Sequence, residues 1–157
     1  MQPPPQPTLR RAGPADAETV RQLVRAAYAK WVPLLGREPM PMKADYDDAV
    51  RAHEIDLLLD GGVLVALIEC IPHADHLFIE NIAVAPGHQG RGFGRQLLGH
   101  AEQRARTQGL PRLGLLTAAA FESNIRLYQA CGFSIDRTEP FMGGTTVHMS
   151  KPVTLAD

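Results

Sequence analysis

The chain has 157 residues, 45% of them apolar and 21% charged, with 16 Lys and Arg against 17 Asp and Glu. That length holds one domain with a proper core and is too short for two. A formal net charge of −1 leaves no overall basic face of the kind a nucleic-acid binder carries, and no apolar run approaches a membrane span.

Residues 1–7, Met1-Gln2-Pro3-Pro4-Pro5-Gln6-Pro7, cannot pack and read as a disordered polyproline-like tail, leaving 8–157 as the domain. No basic stretch followed by an apolar one marks a secretory leader. Cys70 and Cys131 stand far apart in apolar surroundings, which fits reduced thiols and a cytoplasmic location better than a disulfide framework.

Thr8 to Ala12 is the first strand. Gly13-Pro14 then opens a helix, with Pro14 at its first position and Asp16 and Glu18 at its positive end. Val20, Leu23, Val24 and Ala27 recur at helical spacing and give it a core face. Across 30–44, Pro33, Gly36, Pro39 and Pro41 should break any regular element, leaving a long loop studded with Trp31, Leu34, Leu35, Met40 and Met42. A short helix follows near Asp45–His53. Asp60-Gly61-Gly62 signals a hairpin between Ile55–Leu59 and Val63–Ile71, and Leu77–Val84 is the next strand. A helix from Phe93 to about Gln108 carries Phe93, Leu97, Ala101 and Ala105 on its apolar stripe and keeps Arg95, Glu102, Arg104 and Arg106 wet. Gly109 ends it. A strand at Leu113–Thr117, a helix at Ser123–Cys131 and two closing strands, the second Thr145–Lys151, complete the chain. The fold class is α+β: one domain with a mixed, mostly antiparallel sheet and helices on both faces.

The chemistry concentrates where Leu77–Val84 runs into Ala85-Pro86-Gly87-His88-Gln89-Gly90-Arg91-Gly92-Phe93-Gly94. A strand, a glycine-rich turn and a helix N-terminus together suit a phosphate, because glycine admits close approach and the first helical turn presents free N–H groups. A Walker loop is excluded by the missing Gly-Lys-Ser/Thr, and a dinucleotide fingerprint by Arg95 where its third glycine belongs.

Gln89-Gly90-Arg91-Gly92-Phe93-Gly94 resembles the pyrophosphate loop of the GNAT superfamily of acetyl-CoA-dependent N-acetyltransferases, Gln/Arg-x-x-Gly-x-Gly/Ala. Asn124 to Tyr128 followed by Gly132-Phe133 resembles the family's Asn-x-x-x-Tyr-x-x-x-Gly-Phe segment, and Glu80-Asn81-Ile82-Ala83-Val84 its fourth strand. The likeness covers roughly 77–135; Ala66 stands where many relatives have glycine.

The resemblance implies a GNAT-type sheet of about six to seven strands. It also implies acetyl-CoA as co-substrate, held by Ile82, Ala83, Val84, Gln89, Gly90, Arg91, Gly92, Phe93, Gly94, Arg95, Asn124 and Tyr128. The pantetheine arm would lie along Ile82–Val84, with a bulge freeing an amide near Ala83 or Val84. Tyr128 is implied as the acid that protonates the leaving thiolate. Glu80 is the candidate base, directly or through water. Packing of the tyrosine and simple solvent exposure of the glutamate are the competing readings.

The loop after the first helix would wall the acceptor site through Tyr28, Trp31, Leu34, Leu35, Met40 and Met42, with Glu38, Asp45, Asp47 and Asp48 as its acidic edge and Glu80 as a contact. The acceptor expected is the primary amine of a small molecule or a free amino group. A protein or aminoacyl-tRNA acceptor, or a non-catalytic acyl-CoA sensor, are the alternatives. His73-Ala74-Asp75-His76 reads as a solvated turn, and no metal is expected. Pairing through the C-terminal strands, common in the family, makes a homodimer an open expectation.

Overall fold

In the computed structural model, which describes residues 6–155, Gly61 and Gly62 take φ of 59° and 82°, backbone that glycine adopts without strain. They turn β2 (Glu54–Asp60) into β3 (Val63–Pro72). Antiparallel to these run β1 (Thr8–Arg11) beside β2 and β4 (Leu77–Val84) beside β3. β5 (Arg112–Ala118) lies parallel to β4, and β7 (Gly144–Pro152) inserts between β5 and β6 (Ser134–Phe141). The resulting seven-stranded sheet has the order β1-β2-β3-β4-β5-β7-β6. This is the mixed, mostly antiparallel α+β arrangement expected.

One face is covered by α1 (Ala17–Tyr28) and α3 (Tyr46–Ala52), and the other by α4 (Phe93–Thr107) and α5 (Glu122–Ala130). The α1 stripe of Val20, Leu23, Val24 and Ala27 is buried as its spacing requires, and so are Phe93, Leu97, Ala101 and Ala105 of α4. No helix among the described residues is long and apolar enough to cross a membrane. Of the expected tail, residues 1–5 lie outside the described residues; Gln6 and Pro7 take no regular structure.

Two expectations are corrected. The 30–44 segment is not an irregular loop: it contains α2 (Val32–Leu35), flanked by 3-10 turns at Ala29–Trp31 and Met40–Lys43. Pro33 and Pro41 fall in first helical turns, where the missing N–H would have had no partner anyway, and Pro39 is the residue just before the second 3-10 turn. On α4, Glu102 and Arg104 are not wet: both are half-buried, Glu102 accepting from Lys151 at 2.9 Å and Arg104 donating to Glu54 at 3.2 Å. The hydrophobic stripe correctly located the helix, but the opposite flank packs against β2.

Asp56 ties three elements together. Its buried carboxylate accepts from Arg11 Nε of β1 at 2.7 Å and pairs with His100 Nε2 of α4 at 2.8 Å. Burial alone would raise its pKa, but the bonds from His100 and Arg11 outweigh it and hold the carboxyl below the usual range. A depressed folded-state pKa gives stability that is present above the unfolded value and lost as pH falls through the folded one. Asp56→Ala should therefore cost about 2 kcal/mol at neutral pH, the scale of charged hydrogen bonds whose partners still reach water. Urea unfolding tests this: the gap between wild type and variant should narrow on acidification below about pH 4. A gap that stays constant with pH would assign the loss to packing.

Candidate active site

The site begins with a change of face in β4. Register runs Cys70↔Ile79 and then Glu69↔Asn81, so Glu80 is the extra residue of a bulge. Upstream of it, Leu77 and Ile79 face the α4 side. Downstream, Ile82 and Val84 take over that face, while Asn81 and Ala83 point to the α1 side. The resemblance implied a bulge freeing an amide near Ala83 or Val84; the register break lies earlier, at Glu80. Pairing with β5 also stops at Ile79↔Leu115. From there the two strands diverge, and the downstream half of β4 has no strand on that side among the described residues.

A cavity of about 470 Å³ opens along this edge. Ile82, Ala83, Val84, Gln89, Gly90, Gly92, Phe93, Gly94, Arg95, Asn124 and Tyr128 all line it. Gly90 and Gly92 take φ of 80° and 85°, with Gly92 as the residue before α4. A Cβ on Gly94 would meet Leu127 of α5 at 3.3 Å, so glycine there lets the two helices approach at the cavity wall. Gln89 is fixed on both sides, donating to the Val84 carbonyl at 3.1 Å and accepting from Lys30 at 3.0 Å. Arg91 is the exception among the residues implied for the cofactor. It does not line the cavity; its guanidinium is held by Asp60 at 3.0 Å and His88 at 2.8 Å, over the Phe93 ring. The cations on the lining are Lys30 and Arg95. Two left-handed glycines, first-turn amides, these cations and an unpartnered strand edge fit a pyrophosphate with an extended amide-bearing arm.

A second cavity, about 420 Å³, lies on the other side of the strand divergence. Leu116, Thr117 and Ala118 of β5 line it, as do Glu80, Arg37, Phe78, Phe121 and, from β6, Glu139 and Phe141. Tyr28, Ile82, Asn124 and Tyr128 line both cavities, which therefore meet at these four residues. Trp31 is placed differently from expectation. It lines the first cavity and stacks on Phe121 at 4.4 Å, so it walls that cavity and not the second. The acidic edge is also revised. Glu38 is engaged by Arg25 at 2.7 Å, Asp45 caps α3, and neither these nor Asp47 and Asp48 line the second cavity. Its carboxylates are Glu80 and Glu139.

Electrostatics distinguish the two candidate proton carriers. Desolvation pushes the Tyr128 phenol up to about 12, and its hydroxyl makes no hydrogen bond among the described residues. At neutral pH it is a proton donor. Glu80 is exposed, yet its carboxyl is raised by partial desolvation and by the nearby Glu69 carboxylate, with His53 opposing. Glu69 itself is buried, 2.6 Å from His53 Nδ1. Asn81 went unassigned at the sequence level: buried, it accepts from Tyr28 at 2.7 Å and donates to Tyr46 at 3.3 Å, and Tyr46 in turn donates to the Pro41 carbonyl. An asparagine in an apolar strand was the visible signal. Cys131 lines neither cavity, and burial raises the Cys70 thiol well above its usual range.

Residues 18–133 match the Acetyltransferase (GNAT) family. The chain belongs to that family. Streptothricin acetyltransferase of Streptomyces lavendulae is 43% identical over 58 residues, 37% of this GNAT chain and 31% of that protein. The [ribosomal protein bS18]-alanine N-acetyltransferase of Salmonella typhimurium is 40% identical over 60 residues, 38% and 40% of the two chains. The matched segments thus span less than half of either curated relative. The crystal structure of the Escherichia coli ribosomal-protein-S18-alanine N-acetyltransferase superposes with a TM-score of 0.79 at 23% identity over 97% of each chain. That last likeness is one of fold.

Proposed function

We propose that this GNAT protein is an acetyl-CoA-dependent N-acetyltransferase that passes the acetyl group directly to the primary amine of a small molecule or a free amino group within a ternary complex. The observation that carries the reading is the meeting of two cavities at Tyr28, Ile82, Asn124 and Tyr128. One cavity has the chemistry for CoA and the other is free for an acceptor. Direct transfer also suits a site that no cysteine lines.

Bound acetyl-CoA would supply the acetyl group as an activated thioester. The amides of Gln89 to Gly94, with Lys30 and Arg95, would hold the pyrophosphate. The open edge of Ile82–Val84 would orient the arm so that the carbonyl carbon faces the acceptor cavity. Glu80 would take a proton from the incoming ammonium, leaving the neutral amine able to attack. The Tyr128 hydroxyl would deliver a proton to the departing sulfur. Asn81 would act at a distance, by holding Tyr28 in the wall both cavities share.

Release of free thiol from acetyl-CoA across polyamines, amino acids, aminoglycosides, arylamines and short peptides tests the reading. Turnover with any of them supports it. Silence, with acetyl-CoA still bound, would favour a protein acceptor or an acyl-CoA-binding domain without turnover.

Glu80 makes a separate pH prediction. A carboxylate base fails when protonated, so activity is lost as pH falls through its pKa. Because that pKa is raised, the acid limb of kcat/KM should lie above the usual glutamate range. Glu80→Gln should remove the limb and lower the plateau by about a hundredfold. An unchanged limb in the variant would move the base role to water or another group.

A further inference from the structure

The acceptor cavity contains two charges that the fold leaves unmatched, and they are of opposite sign. Glu80, on its β4 wall, makes no hydrogen bond or ion pair among the described residues. Arg37 follows the left-handed Gly36 that ends α2. Half-buried, it also forms no salt bridge among the described residues. Its guanidinium rests 5.6 Å over the Phe141 ring, and its hydrogen bond to the Glu38 carbonyl is long, 3.4 Å. The neighbouring charges are already engaged: Glu38 by Arg25 at 2.7 Å, and Glu139 by His148 at 2.6 Å and Arg137 at 3.5 Å. Much of the remaining lining is apolar, Phe78, Leu116 and Phe121 included, with Thr117, Asn124 and Thr146 adding neutral polar groups.

A polyamine filling this cavity would set a cation against the guanidinium, and a neutral amine would leave the guanidinium unpaired. A dianionic phosphate would bring two charges to a single guanidinium. A single carboxylate matches both the one positive charge and the planar fork of Arg37, and Glu139 is already matched by His148 and Arg137. Resting on the acetyltransferase reading above, we infer that the acceptor is an amino acid in the broad sense: a primary amine joined through an apolar spacer to a carboxylate. The ammonium faces Glu80, and the carboxylate is read by Arg37. Arg37 is therefore a specificity-determining residue.

The probes are glycine, β-alanine, γ-aminobutyrate and para-aminomethylbenzoate, each beside its methyl ester. Each pair is measured as kcat/KM for acetyl transfer and, independently of turnover, as Kd for the CoA-bound protein by calorimetry. The best acid should exceed its ester by about tenfold, the value of one charge-assisted contact at a half-buried site. Arg37→Gln should bring that acid to within about twofold of its ester. Arg112→Gln, which removes an exposed charge that pairs with Asp75 and does not line the cavity, should keep the preference. Esters as good as their acids would overturn the inference, as would a preference that survives Arg37→Gln or is lost equally in Arg112→Gln. If none of the eight compounds binds while acetyl-CoA does, the acceptor class is wrong and the enzyme reading stands. If acetyl-CoA itself fails to bind, the enzyme reading falls and the acceptor class with it.

Discussion

Tyr128→Phe is expected to lower kcat for acetyl transfer by about a hundredfold or more, the usual contribution of a positioned general acid, while acetyl-CoA affinity changes little. The phenol sits where the two cavities meet, and desolvation holds it protonated up to about 12. Losing the hydroxyl leaves the ring, which packs at 5.9 Å from Phe133, in place. The variant therefore removes a proton rather than a wall. Stopped assays giving kcat, alongside a fluorescence titration giving Kd, separate the two effects. A turnover within a few-fold of wild type would leave the leaving sulfur to be protonated by solvent. An equal loss in kcat and affinity would reduce Tyr128 to a packing residue.

Much of this site was legible because its signals are local. Gly90, Gly92 and Gly94 announce a close backbone approach, and Asn124 and Tyr128 are fixed relative to each other by a single helix. The α4 stripe gave the helix that carries the loop. The failures lie where distant segments decide. Proline in 30–44 says only that no amide donor is available, a restriction shared by irregular chain and by a first helical turn; α2 takes the second option. Trp31 looked like an acceptor wall because it is an aromatic in a loop, but its partner is Phe121, brought alongside by the β5–α5 connection. Nothing local told Glu38 from Glu139: one is engaged by Arg25 outside the cavity, the other arrives from β6. The position of the bulge escaped because Leu77–Val84 alternates well enough to pass for an unbroken strand up to Ala83. Only the register against β3 shows that one residue is extra and that the faces exchange.

The second large effect is expected at Gly92. Its φ of 85° is one that L side chains rarely adopt, although a Cβ there would meet nothing within 4 Å. Gly92→Val thus costs about 1–2 kcal/mol of backbone strain and pushes a side chain into the cradle before α4. Losing two charge-assisted amide bonds to phosphate, each worth about 1.5 kcal/mol, would weaken acetyl-CoA binding by about a hundredfold. Strain alone must be separated from loss of the cradle. Gly109, at the far end of α4 with φ of 70°, supplies that control, since it lines neither cavity. Gly109→Val should lower the melting temperature by a comparable amount and leave affinity intact. The readout is built in: Trp31 is the sole tryptophan and lines the cofactor cavity, so its fluorescence reports acetyl-CoA directly. Normal binding by Gly92→Val would remove the pyrophosphate from 89–94. Equal loss in both variants would show that affinity follows the integrity of α4 as a whole, and the loop would then be a hinge for the helix rather than a seat for the phosphates.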